Sequence, residues 1–177
     1  MFKSYKTMAL LFMLLVSAVA TAQPAASGKI AVLDPEGAIL STDEAQKRLK
    51  ALAAQPDFDK DKKDFERLAK EGQDMQKQLQ KDSAVLSPEQ KDAQRKKLEE
   101  KANDIEYLRR KLGGRQQEAM QGIVEDMQTK YTKAVSDLIK SENIGLLINK
   151  RAAVMHADNS YDITNKVTDA LNKANSQ

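Results

Sequence analysis

Hydrophobic positions change texture several times along the chain. Met8–Val16 (MALLFMLLV) is an uninterrupted apolar run behind a basic start. Lys29-Ile30-Ala31-Val32-Leu33 is short, apolar and partly β-branched, and Asp34-Pro35 stops it. That length and composition predict a buried strand. Asp34 suits an N-cap and Pro35 a first helical position. A helix is therefore expected from Pro35 to about Ala54, with Ala38, Ile39, Ala45, Leu49 and Leu52 facing inward. Gln55-Pro56-Asp57 should break or kink it.

From Phe58 the pattern thins. Phe58, Phe65, Leu68, Met75, Leu79 and Leu86 recur at spacings of 7, 3, 7, 4 and 7, a coiled-coil seam with gaps. Asp61, Gly72 and Asp82 occupy the missing seats. So narrow a stripe pairs with one or two partners and leaves most of the helix wet. Ser83–Ser87 reads as a turn. Ser87-Pro88-Glu89-Gln90 then restarts a helix, with Ser87 as N-cap and Gln90 closing a capping box. Apolar seats from Leu98 to Leu138, spaced by 3, 4 or 7, carry this helix to about Ser141. It would be about 80 Å long at about 1.5 Å per residue. The short turn folds the two helices back antiparallel.

Beyond Ser141 strand-like runs return. Ile144–Ile148 predicts one strand, Asn149–Arg151 a turn, and Ala153–Ala157 another strand. Asp162 can cap a last amphipathic helix through Val167 and Leu171. The expected fold is mainly α with a small β body. A helical hairpin over 56–141 is inserted in a β-containing body made from 23–55 and 142–177. Three short strands and one or two helices make too small a core to stand alone. The body should therefore be completed by other copies of the chain, through Ile30, Val32, Leu146, Ile148 and Val154.

Composition narrows the function. The chain has 177 residues, 5% aromatics, no Trp and no Cys. That excludes a disulfide framework, a thiolate metal site and a thiol nucleophile. Lys3, Lys6, the Met8–Val16 run and Ala20-Thr21-Ala22 match a secretory signal peptide over 1–22, cleaved near Ala22. The apolar run is shorter than the about 20 residues a spanning helix needs. Removing Lys3 and Lys6 reduces the formal net charge of +3 to +1, so bulk nucleic-acid binding loses its electrostatic support. An exported, soluble protein without nucleic acid as a partner is expected.

No catalytic constellation is visible. His156 is the single histidine, and neither GxxxxGK[ST] nor GxGxxG occurs. No enzyme activity and no cofactor or metal are expected. Nine basic and six acidic residues lie between Pro88 and Arg115. Lys91, Arg95, Lys96, Lys97, Arg109, Arg110, Lys111 and Arg115 are a candidate binding surface for acidic clients or anionic lipid, lipopolysaccharide included. Interleaved acids also suit a plain solvated face. Gly113-Gly114, with Gly72 on the opposite arm, is a candidate hinge. Close packing of the arms is the other reason for glycine there.

The ends carry a resemblance. Lys29-Ile30-Ala31-Val32-Leu33-Asp34, the charged hairpin, the runs near Leu146 and Val154, and Tyr161-Asp162-Ile163-Thr164 with Val167 and Leu171 resemble the Skp/OmpH family of periplasmic chaperones. The resemblance implies a periplasmic homotrimer. Its three hairpins would surround a cavity that holds unfolded outer-membrane proteins on their way to the outer membrane. It would act as a holdase without ATP. Gln55-Pro56-Asp57, Ser87-Pro88 and Gly113-Gly114 depart from the family pattern in the hairpin, not the body. A structural or adaptor coiled coil of the cell envelope is the competing reading of the same features.

Overall fold

The structure, a computed structural model, describes residues 28–176. The signal peptide expected over 1–22 lies outside the described residues. The element order is β1 (Lys29–Leu33), α1 (Pro35–Leu40), α2 (Asp43–Ala53), α3 (Pro56–Asp82), α4 (Pro88–Ser141), β2 (Ile144–Asn149), α5 (Lys150–Ala153) and α6 (Thr164–Asn175). The mainly helical architecture with a long hairpin and a small sheet is the one the sequence pattern predicts.

Local chemistry sets the boundaries. Asp34 accepts from the Gly37 N–H at 2.9 Å and caps α1 ahead of Pro35. The single helix expected over 35–54 is in fact two. Thr42 is fully buried; its hydroxyl accepts from Ala45 N–H at 3.3 Å and donates to the Ile39 carbonyl at 2.8 Å. An N-cap that strong ends one helix and begins another. Pro56 starts α3 instead of kinking a continuous rod. The Ser87–Gln90 capping box forms as expected.

β1 and β2 are parallel neighbours, with Ile30 opposite Leu146 and Val32 opposite Ile148. On the other edge of β1, Val32 N–H donates to the Tyr161 carbonyl at 2.8 Å, and Ile163 N–H donates back to Val32 at 3.0 Å. Two close backbones make this junction possible. A Cβ on Gly145 would stand 2.9 Å from the Gly28 Cα, so neither position has room for a side chain. Asn143 takes the left-handed conformation, φ 53°, at the end of α4, and its carbonyl accepts from Lys29 N–H at 2.8 Å. Asn tolerates that conformation better than most residues.

The strand expected over Ala153–Ala157 is absent. Asn149 accepts from the Arg151 and Ala152 N–H groups and turns Lys150–Ala153 into a short helix. The sheet therefore has two strands instead of three. Val154 follows in extended conformation, φ −110° and ψ 117°, without joining the sheet.

The core lies between the sheet, α1, α2, α6 and the root of α4. Ala31 and Leu33 point into it from β1, Ile39 from α1, Val167 and Leu171 from α6, and Ile123 and Met127 from α4. The long helix thus enters the body, and Ile123 and Met127 hold the arms to it. Ile39, Ile123, Val167 and Leu171 are each at most 1% exposed. Fully burying one such side chain is worth about 1.5–3 kcal/mol.

Candidate functional site

Period-two alternation decides which β1 and β2 side chains are left over. Ala31 and Leu33 face the core, so Ile30 and Val32 face away from it, beside their register partners Leu146 and Ile148. Ile30 is 52% exposed and Leu146 50%. Val32 is buried, because the segment from Ala153 to Tyr161 folds over it and Ile148. Val154 lies in that segment, half-buried beside the sheet, while Met155 stands fully in solvent. All five predicted body-contact residues therefore lie on or beside one apolar face. Tyr161, 48% exposed, belongs to the same face. Its spacing from Ile163 gives no hint of this, because period two would place the two side chains on the same, core-facing side.

Ion pairs fasten the rim of this face. Arg151 donates to Asp34 at 2.8 Å and to Glu36 at 2.7 Å, and Lys150 pairs with Asp162 at 2.6 Å. Burial alone would raise the Asp162 carboxyl, but Lys150 and the hydroxyl and N–H of Thr164 outweigh it and hold the group below its ordinary range.

The hairpin is the second surface. Its root is closed: Phe58 and Asp61 of α3 and Leu108 of α4 are buried. Asp61 takes a seam seat and is matched by Lys111, whose Nζ lies 2.7 Å from its carboxylate. Hydrogen bonding to Asp61 raises the Lys111 ammonium above its ordinary value. Toward the tip nothing in either arm is buried, from residue 62 to residue 107. The arms there stand over an open groove of about 900 Å3, reaching from Ala69 to Gln80 on α3.

The eight candidate basic residues do not share one face. At about 100° per residue they spread around α4. Lys111 is taken by Asp61, and Arg115 donates to Gln55 at 2.6 Å while its guanidinium lies 5.4 Å from the Phe58 ring. Arg95 lies 3.5 Å from Asp92 and Arg109 3.8 Å from Glu106. Lys91, Lys96, Lys97 and Arg110 have no ion-pair partner among the described residues. Gly113 and Gly114 are exposed within an unbroken α4, and a Cβ on either would meet nothing within 4 Å. Shortage of space does not explain them. Gly72 faces Ile105, where a Cβ would make ordinary contact at 3.7 Å.

No group of His, Asp and Glu among the described residues could hold a metal ion, and no helix among them is long and apolar enough to cross a membrane. The structure leaves two open surfaces: an apolar sheet face in the body and a long, grooved, polar hairpin. This is the architecture of a helical-hairpin protein built on a small parallel β body.

The model of the family described as "Outer membrane protein (OmpH-like)" matches residues 29–171, and the chain belongs to that family. Among solved structures, the chain is similar to an OmpH-like protein of Caulobacter crescentus CB15, described as a candidate outer membrane chaperone. Identity is 20%, the TM-score 0.41, and the match covers 82% of this chain and 84% of the other. No curated protein matches the chain.

Proposed function

We propose that the protein is a periplasmic holdase chaperone. It binds unfolded outer-membrane proteins without ATP and keeps them soluble until delivery. Family membership supports the class. The observation that carries the mechanism is the hairpin beyond Asp61 and Leu108, where two arms run side by side with no buried seam. A globular helix pair would close that seam; a holding surface leaves it available. Unfolded clients need many weak contacts more than one tight one, and a long arm supplies them.

In this reading the sheet face of Ile30, Leu146, Ile148 and Val154 meets two further copies of the chain, forming a homotrimer whose hairpins surround the client. The unpartnered cations of α4 draw in clients of opposite charge, and anionic lipid or lipopolysaccharide is a second ligand for them. Cleavage near Ala22 releases the mature chain into the periplasm.

The test is a denatured outer-membrane β-barrel protein diluted from urea. The mature protein should keep it soluble, by light scattering, with no nucleotide present. A client that aggregates at the same rate with and without the protein defeats the holdase reading and favours an adaptor coiled coil.

A further inference from the structure

The groove of the distal hairpin has a composition of its own. Its floor is small or apolar: Gly72 on α3, and Leu98, Ala102 and Ile105 on α4. Its rim is made of amides, Gln73, Gln76 and Gln80, all exposed. The side chains of these three have no hydrogen-bond partner among the described residues, whereas the neighbouring Gln78 amide is spent on Asp82 at 2.7 Å. Lys101 is paired with Glu71 at 2.5 Å. Lys70 and Glu99 stand on the lining with opposite signs, so the groove carries no net charge.

We propose that this groove docks an uncharged, extended segment of an unfolded polypeptide. Alternate apolar side chains rest on the floor, and the segment's peptide groups hydrogen-bond to Gln73, Gln76 and Gln80. The proposal rests on the holdase reading above and assigns it a site. An unfolded chain carries an unpaired N–H and C=O at almost every residue. A primary amide answers both, with two donors and an acceptor, and it does so whatever the side chains are. The floor rewards apolar groups without demanding a particular shape. With no net charge on its lining the groove gives a charged segment no overall attraction, and an uncharged segment gives up no ionic solvation on docking. From Ala69 to Gln80 the groove runs about 17 Å, at about 1.5 Å per residue, which accommodates about five residues of extended chain.

The probe is a fluorescein-labelled peptide of about twelve residues alternating Val or Tyr with Ser or Thr, its termini blocked, read by fluorescence anisotropy. Gln73→Ala, Gln76→Ala and Gln80→Ala combined should weaken its binding about ten-fold or more, the loss expected for several net hydrogen bonds. Ala102→Lys should weaken it as well. Gln117→Ala, exposed and outside the groove, should leave it unchanged. Helicity by circular dichroism should be the same for all, because Ala is at least as good a helix former as Gln. Binding by the unaltered protein should change less than two-fold between low and molar NaCl. A triple variant within two-fold of the unaltered protein overturns the groove assignment. If that protein still keeps the urea-diluted client soluble, the holdase reading stands without it. Failure to hold that client at all defeats the holdase reading separately.

Discussion

A single carboxylate placed in a seam shows how finely the hairpin is matched. Asp61 would be a costly seat in an apolar stripe if Lys111 did not reach it across the arms. Lys111→Met should lower the urea midpoint by stranding Asp61. The double change Lys111→Met with Asp61→Leu should recover the loss or exceed it, because it removes the buried carboxylate along with its partner and fills the seam seat with an apolar side chain. Equal midpoints for the single variant and the unaltered protein would mean that the pair is only surface charge. Asp162 behaves differently, since its carboxyl is held below its ordinary range by Lys150 and Thr164 against the opposing effect of burial. Its contribution is full above the ordinary carboxylate pKa of about 4 and is lost as pH falls through the lowered native value. Asp162→Asn should cost about 1 kcal/mol at neutral pH. In urea titrations at pH 7 and pH 3, the gap between variant and parent should narrow in acid.

At the scale of elements, glycines of opposite kinds make a sharp comparison. Gly113 and Gly114 have open space, so the double change to Ala should stabilise α4 by about 1 kcal/mol per site through helix propensity. If the pair is a hinge, the same variant should hold large clients less well and small ones normally. Gly145→Ala should do the reverse to stability, because its new methyl would strike the Gly28 backbone and part β1 from β2. Thermal melts of the two variants should move in opposite directions. Element boundaries with their chemistry in adjacent residues were legible in the sequence: Asp34-Pro35 before α1, and Ser87 with Gln90 before α4. Thr42 offered the same kind of signal, with Asp43 and Glu44 following it, but the apolar spacing across Ser41 concealed the break. The segment after Ala153 was misread for another reason. An apolar run becomes a strand only beside a free edge, and Asn149 diverts the chain into α5 before Val154 can reach one. The Asp61–Lys111 match was out of reach, because it depends on the register between arms whose partners lie 50 residues apart.

At the scale of the whole molecule, the sheet face and the arms make separate demands. Leu146 is half exposed in the single chain, so Leu146→Asp should leave the body folded. In the proposed trimer it would bury an unpaired charge, at a cost of several kcal/mol that should separate the subunits. Sedimentation would show a monomer with nearly unchanged helicity; a monomer in the unaltered protein at micromolar concentration would remove the trimer instead. Capture of a full-length acidic client should weaken as NaCl is raised, since Lys91, Lys96, Lys97 and Arg110 are free to act at long range. Affinity that is flat up to molar salt would assign capture to apolar contacts alone. The identity of the family was legible because its markers sit at the two chain ends, and these meet in one body. The groove between the arms was not, since spacing alone cannot say where two helices fail to close.

The pairing of β1 with β2 also has a meaning in time. The strands are neighbours in space, yet the whole hairpin separates them along the chain. A chain that emerges N-terminus first presents β1 with no parallel partner until Ile144–Asn149 arrives. Meanwhile α3 and α4 can zip locally, and that zipping draws the two ends together and shortens the loop the sheet must close. The arms would then be the scaffold on which the body is finished, and in the proposed trimer the meeting of subunits, which needs the finished sheet, would come last.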